Sequence, residues 1–263
     1  MSAAEGWSDV AAVWAESWGP ASRPVHDRLV EVLDLGPGSR VLDIGCGTGE
    51  LLAALVRSGA RAAGADPAVG MVEHSRRSVP SADVQEASWE RLPWPDATFD
   101  AVTAVNALQF AEDTLGALAE AGRVLHPGGL VAVANWAERA LCDLETIDAA
   151  LAASDGDEPA PDGDLRLPGG LESVLRDAGF RVEGVGMIDA PWELADETAL
   201  LRAVLLDDAS SDDVASYRGI VLEAAEPFRT ADGGYLLHNT FRYAVARAGA
   251  AEIATTTDEG GRV

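Results

Sequence analysis

The chain of 263 residues contains no lysine. That absence excludes a phosphate-loop lysine, a Schiff-base lysine and pyridoxal chemistry. The 19 basic residues are all arginine and face 44 acidic ones, for a formal net charge of −25. A nucleic-acid backbone is held by basic side chains that displace counterions, and an anionic membrane attracts the same side chains. No nucleic acid and no membrane surface are therefore expected as partners. Cysteine is scarce too, with Cys46 and Cys142 alone. That excludes a disulfide framework and any zinc site built from cysteines. No stretch approaches the ~20 apolar residues of a membrane span, and Met1–Gly6 has neither a basic n-region nor an apolar run. The expected location is cytoplasmic. Aromatic residues are few, yet seven of them are tryptophans.

What is present centres on Val41-Leu42-Asp43-Ile44-Gly45-Cys46-Gly47-Thr48-Gly49-Glu50. An apolar strand runs into an acidic residue, then into three glycines at alternate positions, then into an amphipathic helix. Glycine tolerates positive φ and lets main chain approach a ligand closely. A strand–glycine loop–helix turn lies at the carboxyl ends of a parallel sheet, where nucleotide-like ligands bind. A dinucleotide loop has the spacing G-x-G-x-x-G. Here the third glycine comes one residue early and Asp43 stands just before the first. That arrangement suits a ligand carrying positive charge and hydroxyls rather than a diphosphate.

Strand and helix patterns alternate through the first half of the chain. Strands are predicted at 39–44, 61–65, 82–86, 99–105 and 129–135, with helices at 49–58, 68–78 and 113–125. The apolar run 129–135 reads as a buried parallel strand. Trp7, Trp14 and Trp18, spaced by sevens and fours, share one helical face, and a second helix is predicted at 22–34. Beyond 138 the prediction is a helix to 153, an acidic mobile loop at 154–164 and a helix at 168–178. A strand at 180–188, helices at 193–206 and 210–225, and a last strand from Tyr235 to Ala246 follow. The domain plan is a helical cap over 1–38, an α/β domain over 39–248 with a lid insertion near 189–234, and a disordered tail over 249–263.

The glycine segment resembles motif I of the class I S-adenosylmethionine-dependent methyltransferases, V-L-D-x-G-x-G-x-G. Three further segments resemble that family in the same order. They are Gly64-Ala65-Asp66-Pro67 through Met71, Glu90-Arg91-Leu92-Pro93-Trp94-Pro95-Asp96 through Asp100, and Glu120 through Arg123-Val124-Leu125-His126-Pro127-Gly128-Gly129. The resemblance implies a Rossmann-like seven-stranded sheet, mostly parallel, with strand seven antiparallel between strands five and six and helices on both faces. It implies S-adenosyl-L-methionine as cofactor, S-adenosyl-L-homocysteine as product and a small-molecule acceptor, methylated at oxygen, nitrogen or carbon, in bacterial secondary metabolism.

The resemblance also implies roles. Gly45, Cys46 and Gly47 bring main chain to the methionine part, and Gly49 allows close packing of the next helix. Asp43 interacts with the cofactor's ammonium, and Asp66, followed by Pro67, accepts from the ribose hydroxyls, a task suited to an acceptor-only carboxylate. Met71 packs on adenine. Ser88-Trp89 stands where the family often has Asp-Ala, so the adenine contact falls to the Ser88 hydroxyl and the Trp89 main chain. Asn106 and Ala107 hold the methionine end, and Gln109 faces the acceptor. Trp14, Trp18 and Trp136 suit a planar apolar acceptor, while Arg229, Tyr235 and Asn239 are candidates for its polar groups. His238 and His26 are the candidate general bases, although a phenol or carboxylate would need little base assistance. Two rivals stay open on sequence: a protein that binds the cofactor without transferring methyl, and a nicotinamide-dependent reductase.

Overall fold

The structure is a computed structural model and describes residues 3–206 and 212–249. Three helices come first: α1 (Ala3–Asp9), α2 (Ala11–Ala21) and α3 (Arg23–Leu33). Alternation then sets in with β1 (Arg40–Ile44), α4 (Glu50–Arg57), β2 (Arg61–Asp66), α5 (Val69–Ser78), β3 (Asp83–Glu86), β4 (Phe99–Val105), α6 (Thr114–Val124) and β5 (Leu125–Trp136). The remainder comprises α7 (Leu144–Asp155), α8 (Gly170–Asp177), β6 (Arg181–Asp189), β7 (Trp192–Leu194), α9 (Glu197–Leu205), α10 (Asp212–Ala225), β8 (Tyr235–Leu237) and β9 (Thr240–Arg247).

Seven strands form one sheet in the order β3-β2-β1-β4-β5-β9-β6. The neighbours are parallel except where β9 runs antiparallel to both β5 and β6. This is the implied sheet, with the antiparallel strand in the implied place. Its central strands are buried on both faces: Val131 to Ala134 of β5 are fully covered, which explains their unbroken apolar sequence. One face carries a core with Leu118, Leu171 and Phe180, the other a core with Leu29, Leu52 and Leu55. In α3 the residues Val25, Leu29 and Leu33, four apart, turn inward together with His26.

The structure departs from expectation at the N-terminus and in the second half. The aromatic helix predicted through 7–18 is broken at Val10 (φ −94°, ψ 1°), so Trp7 lies on α1 while Trp14 and Trp18 lie on α2. The helix predicted from 193 starts later, because Trp192–Leu194 is a strand paired antiparallel with Tyr235–Leu237. The last strand consequently splits in two. Tyr235 belongs to this small hairpin, and the strand of the main sheet begins at Thr240. Residues 190–238 leave and rejoin the main sheet at its carboxyl rim, since β6 ends there and β9 starts there. They fold around a third core that includes Leu144 and Ile147 of α7, Trp192, Leu200, Val221 and Tyr235. Of the predicted tail over 249–263, all but Gly249 lies outside the described residues. No helix among the described residues is long and apolar enough to cross a membrane.

Candidate functional site

The glycine loop is tied to the end of β2 by its own main chain. The N–H groups of Gly45 and Cys46 both donate to the Ala65 carbonyl, at 2.8 and 3.0 Å. Gly45, Gly47 and Gly49 all have positive φ, at 72°, 52° and 97°. Their surroundings differ. A Cβ on Gly45 would stand 2.4 Å from Ala107 Cβ, and one on Gly49 would stand 2.6 Å from Ser75 Oγ. A Cβ on Gly47 would meet nothing closer than Trp14 Nε1 at 3.9 Å. Gly45 and Gly49 are therefore required by packing of the protein itself. Gly47 keeps bare main chain facing the cap helices.

Two carboxylates flank this loop. Asp66 bridges two main-chain groups, accepting from Gly47 N at 3.0 Å and from Ala68 N at 2.9 Å. Asp43 is 3% exposed and accepts from Thr103 Oγ1 at 2.8 Å across the β1–β4 pair. Burial pushes the Asp43 carboxyl up to about 7, against the Thr103 bond, with the nearby charges of Asp66 and Glu50 adding to the rise. Burial also raises Asp66, and its two main-chain bonds oppose that rise. A concentration of buried acid at the strand ends favours a positively charged group arriving from the rim.

Asp43 provides a pH-dependent test. Between the ordinary aspartate range and about pH 7 the folded chain keeps a proton at Asp43 that the unfolded chain has lost. Folding stability contributed by this group therefore falls as pH rises through that window. The stability of wild type relative to Asp43→Asn, measured by urea unfolding, should drop by roughly 3 kcal/mol between pH 4.5 and 7.5 at ~1.4 kcal/mol per pH unit. A difference that stays flat with pH would show that Asp43 is ionised throughout.

The other predicted residues fall into three groups. The first lies close to the loop. Met71 is buried in a cluster with Ala11 and Ala68, flanked by Trp7, Val10 and Trp14. The Ser8 hydroxyl accepts from Gly70 N at 3.2 Å, which seats α1 on α5. Ala107 abuts Gly45, while Asn106, at φ 49°, accepts through its side chain from Trp136 N at 3.0 Å. Pro67 is exposed beside Asp66.

The second group has side chains committed to the protein. Cys46 points into the core against Gly64, and Trp89 is buried with its indole N–H on the Ala107 carbonyl at 3.2 Å. Each can offer a ligand its main chain alone. Ser88 donates to the Glu90 carboxylate. Tyr235 sits inside the third core, and Asn239 is buried, accepting from Leu144 N at 3.2 Å at the start of α7.

The third group is dispersed over the rim. Gln109 and Arg229 are exposed. His238 is exposed in the turn between β8 and β9, where its main-chain N–H donates to the Asp143 carboxylate at 2.7 Å. His26 is 8% exposed on the first turn of α3, and burial lowers it to about 4, so it stays neutral near pH 7. The structure does not bring the two histidines together. The tryptophans do meet: Trp14 stacks on Trp18 at 5.0 Å, and Trp18 contacts Trp136 at 6.2 Å and Trp192 at 4.4 Å.

Two features went unread in the sequence. Asn135, the last residue but one of β5, is buried; its amide donates to Gln109 and its Oδ1 has no partner among the described residues. A polar residue following the apolar run Leu130–Ala134 was the available signal. The Glu120–Arg123 pair is a scaffold device. Glu120 accepts from Leu92 N at 2.8 Å, and Arg123 donates to the carbonyls of Leu92 and Trp94 at 3.1 and 3.0 Å. Two of the quoted segments are thus one clamp that holds the loop before β4.

Residues 42–133 match the family described as "Methyltransferase domain". The chain is 32% identical over 234 residues to the 27-O-demethylrifamycin SV methyltransferase of Amycolatopsis mediterranei, spanning 84% of this chain and 72% of that one. The chain belongs to the class I S-adenosylmethionine-dependent methyltransferases. A second methyltransferase relative, the demethylmenaquinone methyltransferase of Corynebacterium urealyticum, is 39% identical over 116 residues. That match covers 44% of this chain and about half, 49%, of the relative. Among solved structures, the YcgJ protein of Bacillus subtilis superposes with a TM-score of 0.60 at 16% identity, covering 85% of this chain and 97% of that one. This likeness shows the shared fold alone. The S-adenosylmethionine-dependent methyltransferase family accounts for the sheet order and for the loop that ends β1.

Proposed function

We propose that this methyltransferase moves the methyl group of S-adenosyl-L-methionine to an oxygen of a small organic acceptor in bacterial secondary metabolism, leaving S-adenosyl-L-homocysteine. The observation that carries the cofactor assignment is the pairing of bare main chain at Gly47 with the buried carboxylates Asp43 and Asp66. Donors and acceptors fit the group. Asp66 is an acceptor for a diol, Asp43 a counter-charge for an ammonium, and the Gly45–Gly47 main chain a close-approach surface. Met71, with Pro67 and the main chain at Ser88 and Trp89, would border the adenine. Asn106 and Ala107 would border the methionine end. When bound, the cofactor supplies an electrophilic methyl on a sulfonium.

The chain's own task is then to hold the acceptor in line and keep water out, and alignment supplies much of the acceleration in such transfers. Trp14 and Trp18, stacked face to face, and Trp136, meeting Trp18 edge-on, form an aromatic wall at the rim for that purpose, with Gln109 tied to it through Asn135, the neighbour of Trp136. Arg229, Tyr235 and Asn239 act from the return segment, Tyr235 and Asn239 by fixing its course. His26 and His238 stay the candidate proton acceptors: burial holds His26 at about 4, which makes it a weak base, while His238 is exposed in the turn before β9. Oxygen is favoured over nitrogen or carbon by the likeness to an enzyme named for an O-demethylated substrate.

The test is incubation of protein, cofactor and a panel of phenols, alcohols and carboxylates, with S-adenosyl-L-homocysteine followed by mass spectrometry. Acceptor-dependent product is the expected result. Tight cofactor binding with no product across the panel would instead point to a cofactor-binding protein that does not transfer methyl.

A further inference from the structure

The glycine loop is richer in acceptors than in donors. Two carboxyl groups, Asp43 and Asp66, flank it. Its main-chain N–H groups are spent inside the protein. Those of Gly45 and Cys46 go to the Ala65 carbonyl, that of Gly49 to the Cys46 carbonyl at 3.0 Å, and that of Gly47 to Asp66 at 3.0 Å. The Thr48 hydroxyl is spent too, on Glu50 at 2.6 Å. The methionine end of the proposed cofactor carries an ammonium and a carboxylate. The acids serve the ammonium. The carboxylate can only accept, so it needs a donor from outside the loop.

Trp14, on α2 of the cap, offers one. Its ring is held by its neighbours: Trp18 stacks on it at 5.0 Å with 3° between the planes, and Trp7 meets it edge-on at 5.1 Å. Its Nε1 is the cap atom nearest Gly47, 3.9 Å from where a Cβ would stand. That is ordinary van der Waals contact, so an oxygen accepting from this N–H would rest against the Gly47 main chain. The indoles of Trp18, Trp89, Trp94 and Trp192 already donate to protein oxygens, at 2.9 to 3.2 Å. The Trp14 N–H has no acceptor among the described residues and, unlike the sealed polar atoms of Ser75 and Asn135, stays open to solvent. Asp43, Asp66 and Glu50 would repel a free carboxylate. This one arrives tethered to an ammonium and a sulfonium, so the ligand as a whole is a cation.

We infer that Trp14 is a cofactor-binding residue whose indole N–H donates to the methionine carboxylate of S-adenosyl-L-methionine. The inference rests on the cofactor reading above. A contact to this non-reacting end helps place the methyl group. Trp14 stacks on Trp18, and the Trp18 indole is fixed to the Ala203 carbonyl at 2.9 Å, so the donor contact belongs to the same aromatic stack as the acceptor wall.

The test uses the full chain and reads binding by calorimetry. The probes are S-adenosyl-L-homocysteine and its decarboxylated analogue, which keeps the adenosine, the thioether and the ammonium and lacks only the carboxylate. Wild type should bind S-adenosyl-L-homocysteine at least ~10-fold more tightly than the analogue, the effect of one hydrogen bond to a charged group. In Trp14→Phe that preference should shrink by roughly tenfold, with affinity for the analogue little changed. Replacing Trp14 by benzothienylalanine keeps the bicyclic ring and puts sulfur in place of the N–H. It should shrink the preference equally, without repacking the cap. An undiminished preference in the benzothienylalanine protein overturns the inference, and so does equal binding of the two probes by wild type. A wild type that binds neither probe sinks the cofactor reading instead.

Discussion

Gly45→Val is expected to give little or no folded protein, while Gly47→Val folds and loses the cofactor. The two glycines are two residues apart in one loop, and both have positive φ. A side chain at either costs about 1–2 kcal/mol for the left-handed backbone alone. At Gly45 the new Cβ would also lie 2.4 Å from Ala107 Cβ, with the Ala107 Cα behind it at 3.6 Å. Overpacking of that kind adds roughly 1–3 kcal/mol, and the sum is a large part of a typical stability of about 5–15 kcal/mol. At Gly47 the nearest atom is 3.9 Å away, so the fold survives. The valine then projects where main chain should meet the ligand, and cofactor affinity should fall at least ~100-fold, about 2.7 kcal/mol. Thermal melting by circular dichroism and calorimetric titration separate the two outcomes. Native affinity in Gly47→Val would mean that the loop is not the cradle.

Asp66→Ala should weaken cofactor binding by roughly ten- to a hundredfold, the loss expected when an ionised acceptor is stripped from hydroxyl donors. The substitution also leaves the N–H groups of Gly47 and Ala68 without their acceptor, so a drop in melting temperature should accompany it. Asp66→Asn distinguishes the two effects. It keeps one carbonyl oxygen for the main chain yet cannot offer two ionised oxygens to a diol, so its stability should recover more than its affinity. Calorimetry showing unchanged affinity in Asp66→Ala would remove Asp66 from the site.

The first half of the molecule was legible in the sequence because its signals are local. β4 was predicted with the bounds it has, and β1, β2 and β3 to within a residue at each end. There β1, β2 and β4 are short, mainly apolar runs bounded by glycine or a polar turn, and only β3 (Asp83–Glu86) lacks that signal. The hairpin of β7 and β8 was not legible. Its two strands have three residues each, lie about forty positions apart, and are held by cross-strand pairing that no local window contains. Trp192 and Leu194 alternate with Glu193 as a strand should, but the pattern is too brief to stand out beside the helical run that follows. The break at Val10 was equally hidden, since the tryptophans on either side still share one aromatic surface, Trp7 lying 5.1 Å from Trp14. Of the candidate site, the glycine loop stood out by its spacing and Asp66 through the resemblance to the family motif. The commitment of Cys46, Trp89 and Tyr235 to the interior was not, because burial of a side chain depends on neighbours far away in sequence.

The third core has a bearing on how such an enzyme can change its chemistry over time. Leu144 and Ile147 of α7 pack with the hairpin and with α9 and α10 around their own apolar centre, apart from the two cores that sandwich the main sheet. The segment around this third core can therefore be rewritten, or exchanged as a block with that of a related enzyme, while the strand ladder beneath it keeps its own two cores. Diversity of acceptors on a constant donor platform is what a lineage built this way should display.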